Sequence, residues 1–190
     1  WDSLLPKVVA DVMKYKGNYV AAPVNVHRVN WMWANAAVLK KAGVTRAPKT
    51  WDEFFAAADK VKKMGLIAVA HGGQNWQDFT TFEDVVLGVG GSKFYSDALI
   101  KLDQKALTSD TMKKWLETFR KIKGYTDPAA PGRDWNLATA MVIQEKAAFQ
   151  FMGDWAKGEF TAAGKVPGKD YLCAPTPGST ASYTYNVDSF

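Results

Sequence analysis

Apolar residues recur every three to four positions through TWDEFFAAADKVKKMG (residues 50–65), the clearest helical rhythm in the chain. Thr50 with Glu53 three residues later is a capping box at its start, and Gly65 marks its end. The same rhythm predicts helices over SLLPKVVADVMKYKG (3–17, stopped by Gly17), NAAVLKKAG (35–43, capped by Asn35 and ended by Gly43) and WQDFTTFEDVVLGVG (76–90). Two more follow over DTMKKWLETFRKIKG (110–124, capped by Ser109) and WNLATAMVIQ (135–144). Short apolar or alternating runs predict strands at NYVAAPVNV (18–26), LIAVA (66–70), AAFQFM (147–152), YLCAP (171–175) and YTYNVDSF (183–190), with Pro23 implying an edge or bend. After AAFQFM the pattern predicts a tight turn at Gly153 and a helix starting near Asp154. Strands alternating with helices define an α/β class with a mixed or parallel sheet covered by helices. There is no internal repeat, and APTPGSTASY (174–183) is the most linker-like stretch.

The chain has 190 residues, enough for one domain or one domain plus a fragment, and 47% hydrophobic with 23% charged residues is ordinary globular material. No run approaches 18 consecutive apolar residues, which argues against a membrane span. Trp1-Asp2-Ser3 lacks the basic start and apolar core of a secretion signal. A net charge of +5 raises the question of nucleic acid, but the lysines come as separated pairs on helix-like segments (Lys40-Lys41, Lys62-Lys63, Lys113-Lys114). They form no basic run interleaved with aromatics, so solvated helix faces explain them and no nucleic-acid partner is expected. Cys173 is the only cysteine and reads as a small core residue. With His27 and His71 the only histidines, neither a thiol nucleophile nor a metal centre is expected, and no cofactor.

Both ends read as interrupted: YTYNVDSF stops within an apolar strand pattern, and no strand precedes the first helix. The expectation is an internal piece of a longer protein.

Most of the eight tryptophans belong to the core by their place in helical patterns. Trp76 and Trp155 differ, because each follows a strand and a glycine-containing loop, where α/β sheets form pockets. Aromatic faces there suit flat ligands whose C–H groups stack while hydroxyls find polar partners, as in a pyranose. The plainer reading is that both rings plug the core. In HGGQNW (71–76), exposed backbone N–H groups would suit an anion, while Gln74 suits hydroxyls or a helix cap. His27 lies in NVHRVNWMW, on the opposite strand face from Arg28. Asp154 and Asp188 are the carboxylates in the most pocket-like settings. They suit a glycosidase acid/base pair or acceptors for sugar hydroxyls, and Asp154 equally suits a helix N-cap.

PVNVHRVNWMWANAAVLKKAGVTRAPKTWDEFFAAADKVKKMG, GGQNW, AAFQFMGDWAKGEF and APTPG…NVDSF, in this order and spacing, resemble the periplasmic sugar-binding proteins of ABC importers. The closest likeness is to the glucose/mannose-binding branch. The resemblance implies a periplasmic-binding-protein-like lobe of the two-lobe type II family, with only part of the protein present. Residues 1–26 would be a remnant of the first lobe, 27–185 the second α/β lobe, and 186–190 the start of the return crossing strand. It further implies a non-catalytic protein that holds a glucose- or mannose-like hexose between its lobes for a membrane permease. On this likeness Trp155 is the platform under the sugar ring, and His27 and Asp188 are polar ligands at the crossings. Gln74 and Trp76 contact sugar from a second-lobe loop, with Asp154 beside them. Two further expectations stand beside this one. The first is a glycoside hydrolase using Asp154 and Asp188. The second is a structural half-protein that binds little sugar and pairs with itself or with its missing lobe.

Overall fold

The computed structural model describes residues 1–180 and 182–190, so one position of the linker-like stretch 174–183 lies outside the described residues. Helix α1 (Lys7–Val12) leads into a hairpin of β1 (Lys14–Tyr15) and β2 (Asn18–Tyr19). Strands β3 (His27–Arg28) and β4 (Trp31–Asn35) follow, then α2 (Ala36–Lys41), α3 (Trp51–Lys63), β5 (Ile67–Val69) and the long α4 (Asn75–Tyr95). A π-helical turn at Ser96–Ile100 connects to α5 (Gln104–Leu107) and α6 (Asp110–Ile122). The chain continues through α7 (Trp135–Ile143), β6 (Ala147–Phe151), α8 (Ala156–Ala162), β7 (Tyr171–Pro175) and β8 (Tyr185–Asn186).

The central sheet is mixed, in the order β5-β6-β4-β7, with β5 and β6 parallel and the other neighbours antiparallel. Helices cover both faces, as the alternation along β4 shows. Met32 and Ala34 enter one apolar cluster with Phe54 of α3, Val85 of α4 and Trp115 of α6. Trp33 points the other way into a second cluster with Ala138 of α7, Phe160 of α8 and Tyr171. Its indole N–H donates to the Met152 carbonyl at 2.8 Å while its ring stacks on Phe160, so burying the indole leaves no donor unpaired. Every residue of β6 is buried, which is why AAFQF is apolar but for Gln150, whose Nε2 donates to the Trp135 carbonyl at 3.0 Å. Three helix starts use the predicted caps: Asn35, Thr50 and Ser109 each accept an N–H three residues on. At α3 the capping box is altered, because the Glu53 carboxylate turns to the Lys49 N–H and the Arg46 guanidinium.

Several expectations give way. The first helix ends at Val12, since Gly17 (φ 81) with Lys16 (φ 50) forms the two-residue turn of the β1–β2 hairpin. Only Asn18–Tyr19 of the segment 18–26 is strand; further on, this segment meets the end of the chain. The Ala22 N–H donates to the Phe190 carbonyl at 2.9 Å and the Val24 N–H to the Asp188 carbonyl at 2.8 Å. His27 then pairs with Asn186 and Arg28 with Tyr185, antiparallel. Of the run 183–190 only Tyr185–Asn186 is strand. Helix α4 runs past Gly90 to Tyr95, broken at Gly91 (φ 75). Cys173 is exposed, not core: it lies on β7, the open edge of the sheet, outside the aromatic cluster that covers Tyr171. No helix among the described residues is long and apolar enough to cross a membrane.

Candidate functional site

The end of β6 and the paired segments around β3 and β8 meet at Gly153-Asp154-Trp155. Gly153 is required by contact: a Cβ there would lie 2.2 Å from the Trp155 ring, so the indole lies over a bare backbone. Asp154 does not cap α8. Trp155 holds the N-cap position without a side-chain cap bond, and the Asp154 carboxylate turns to β3 instead. Its Oδ2 accepts the Arg28 backbone N–H at 2.9 Å, and its Oδ1 lies 2.7 Å from His27 Nδ1. The long-range partner outcompetes the local one because it satisfies a strand N–H and orients an imidazole together.

From His27 the site extends both ways. Its ring meets Trp155 edge-on at 5.2 Å, and the Trp155 ring lies 6.3 Å from that of Trp76, which is 42% exposed. On the other side His27 Nε2 lies 3.8 Å from Asp188 Oδ2. Asn25 holds that carboxylate, donating from Nδ2 at 2.8 Å and accepting the Asp188 N–H at 3.2 Å, and Asn186 donates to the second oxygen at 3.3 Å. Gln74 stands behind Trp76. Its Oε1 accepts the indole N–H at 2.8 Å, and its Nε2 donates to Asp134 at 2.6 Å. Gln74 therefore fixes a ring and does not cap α4 with its side chain.

The six predicted residues thus form one continuous wall, Trp76–Trp155–His27–Asp188, with Asp154 and Gln74 as supports. Asn25 and Asn186 were missed in the sequence, and Asp134, which ranked there behind Asp154 and Asp188, holds Gln74. Asn25 carried a usable signal, since it sits two residues before His27 and so shares its strand face. A concavity of about 770 Å³ lies elsewhere, between α4, α6 and the 126–131 loop, and includes none of the six. Chemically the wall offers two aromatic faces, an imidazole nitrogen and carboxylate oxygens. That set can stack on an apolar ring face and accept hydrogen bonds at its edge.

A central mixed sheet covered by helices on both faces is the fold that solved solute-binding proteins share with this chain. The chain belongs to the bacterial extracellular solute-binding protein family, whose profile matches residues 1–189. A relative from Mesorhizobium japonicum, described as a probable sugar-binding periplasmic protein, is 54% identical over 190 residues, covering 100% of this chain and 45% of that protein. The chain therefore spans about half the length of the curated relatives it matches. Among solved structures, the bacterial solute receptor AcbH, described as preferring β-D-galactopyranose exclusively, superposes with a TM-score of 0.70 at 21% identity. That likeness covers 99% of this chain and 48% of AcbH. A manno-oligosaccharide-specific solute-binding protein from Bifidobacterium animalis subsp. lactis, in complex with mannotriose, gives 0.75 at 19% identity, covering 95% and 45%. At these identities the likeness shows the fold.

Proposed function

We propose that this chain is the greater part of one lobe of a sugar receptor, binding a glucose- or mannose-like hexose without chemistry and serving the membrane permease of an ABC importer from the periplasm. The observation that carries the reading is the wall itself, in which two neighbouring indoles, tilted against each other at 6.3 Å, adjoin hydroxyl acceptors. The names of the relatives and the family membership support it. Residues 1–26 are read as the remnant of a first lobe, 27–185 as the second, and 186–190 as the start of the return crossing. Exposed apolar side chains within residues 1–26 support that division: Leu4 is 82% and Val20 66% exposed. Exposed apolar groups there would also favour pairing of the isolated chain with a further lobe or with itself.

A hydrolase reading fits less well, because both Asp154 oxygens are already engaged by Arg28 and His27, leaving no free acid or nucleophile there. Calorimetric titration of the chain with glucose tests the proposal. Saturable heat that disappears on Trp155→Ala supports it, and absence of heat at millimolar glucose, mannose and galactose overturns it for this lobe alone.

A further inference from the structure

The polar members of the wall do not play equal parts. Asp154 is locked to β3: it accepts the Arg28 N–H at 2.9 Å, and its own N–H donates to the Arg28 carbonyl at 2.9 Å. Its remaining oxygen meets His27 Nδ1 at 2.7 Å. A carboxylate only accepts, so Nδ1 carries the hydrogen, and a neutral imidazole then presents a bare lone pair at Nε2. That nitrogen lies 3.8 Å from Asp188 Oδ2, beyond hydrogen-bond range. Asn25 holds Asp188 in place through one oxygen and the backbone. Two acceptors therefore stand side by side next to the Trp155 ring, and among the described residues no donor bridges them.

We infer that Asp154 is a positioning residue, which holds His27 in the Nδ1–H form so that Nε2 and Asp188 together read two adjacent ligand hydroxyls as donors. The inference rests on the sugar-binding reading above and names its ligand class, a ring bearing a free vicinal diol. Asp154 acts through His27 and does not touch the ligand. His71 provides an internal contrast. It offers Nε2, not Nδ1, to Asp78 at 2.7 Å and so belongs to the opposite tautomer. These are the only two histidines in the chain.

Long-range proton–nitrogen correlation on the ¹⁵N-histidine-labelled chain reads both rings directly. The measurement is made about two pH units above the ordinary histidine pKa of about 6.5. His71→Gln assigns the signals. The expected result is an Nδ1–H pattern for His27 and Nε2–H for His71, with Asp154→Ala shifting only the His27 pattern. An Nε2–H pattern for His27 in the unaltered chain overturns the inference without needing any variant to fold.

The ligand half is read by titrating glucose and its monodeoxy derivatives while following His27 Nε2. Loss of about tenfold or more in affinity at two neighbouring ring positions is expected, the scale of one hydrogen bond to a charged group. Losses at separated positions overturn it. If the tautomers are as stated but glucose moves nothing, the sugar reading fails and takes the diol with it, while Asp154 still positions His27. If glucose binds but His27 is Nε2–H, the positioning role fails alone.

Discussion

Asp84 sets a measurable slope on the stability of this fold. It lies on α4 with no exposed surface, and neither carboxyl oxygen has a hydrogen-bond partner. Burial first, and then the charge of neighbouring Glu83, push its pKa well above the ordinary 3.8; the Thr176 hydroxyl lies near enough to offset a little of this without completing a hydrogen bond. The folded chain thus keeps a proton that the unfolded chain releases. A raised carboxyl pKa makes stability fall as pH rises from near 3.8 until the folded pKa is reached, after which the cost is constant. Within that window the loss is about 1.4 kcal/mol per pH unit. Asp84→Asn keeps the volume and the hydrogen-bonding reach toward Thr176 but has no proton to lose. Urea midpoints for both proteins at steps from about pH 4 to about pH 8 are therefore expected to diverge. The Asn protein becomes the more stable at neutral pH, and the difference climbs at that slope before it levels. Glu83 also sits in a desolvated place that raises its pKa, but it is common to both proteins and largely cancels. A pH-independent difference, or an Asn protein less stable at neutral pH, would refute the reasoning, because a carboxylate ionised in the fold would then have an undetected partner.

Gly153→Ala is expected to drive the Trp155 ring off its seat, since the new Cβ would sit 2.2 Å from it. The cost is about 1–3 kcal/mol by denaturant titration, with altered tryptophan emission and about tenfold or more weaker glucose binding. Phe54, fully buried against Phe149 and Phe151, is expected to cost about 3–5 kcal/mol on Phe54→Ala, read from the urea midpoint at unchanged m. Cys173 is exposed as a residue, yet desolvation pushes its thiol up to about 11 from an ordinary 9.0. A disulfide reagent near pH 8 is thus expected to react about tenfold more slowly than with a free thiol, the scarcer thiolate being partly offset by its greater nucleophilicity, and reaction at the free-thiol rate would contradict that environment.

Local features were legible in the sequence wherever the signal and its partner lay within one turn. Asn35, Thr50 and Ser109 cap helices because each needs only an N–H three residues away. Strands β5, β6 and β7 were legible as short, largely apolar runs. Features failed to show where a distant partner decided the outcome. Asp154 read equally well as a local cap, but its partner His27 lies 127 residues away. The segment after β2 looked like a strand, yet its hydrogen bonds go to Asp188 and Phe190 at the far end of the chain. Lys16 carries no mark of a positive φ, so Gly17 looked like a helix stop and not half of a hairpin turn. Of the wall, the aromatic and acidic members stood out by chemistry, whereas Asn186 became visible only once β3 and β8 were paired.

That pairing has a mechanical consequence. Two lengths of backbone bonded side by side form a ribbon, and a ribbon bends readily across its flat face while resisting shear along its length. In a protein of the relatives' size, whatever is tethered beyond residues 22–29 and 184–190 would swing like a page on its binding. The Asn25–Asp188 and His27–Asn186 rungs lie within the binding itself. If the proposed receptor opens and closes about this ribbon, their spacing would hold while the page turns, and the groups read above as holding the ligand would keep their separation.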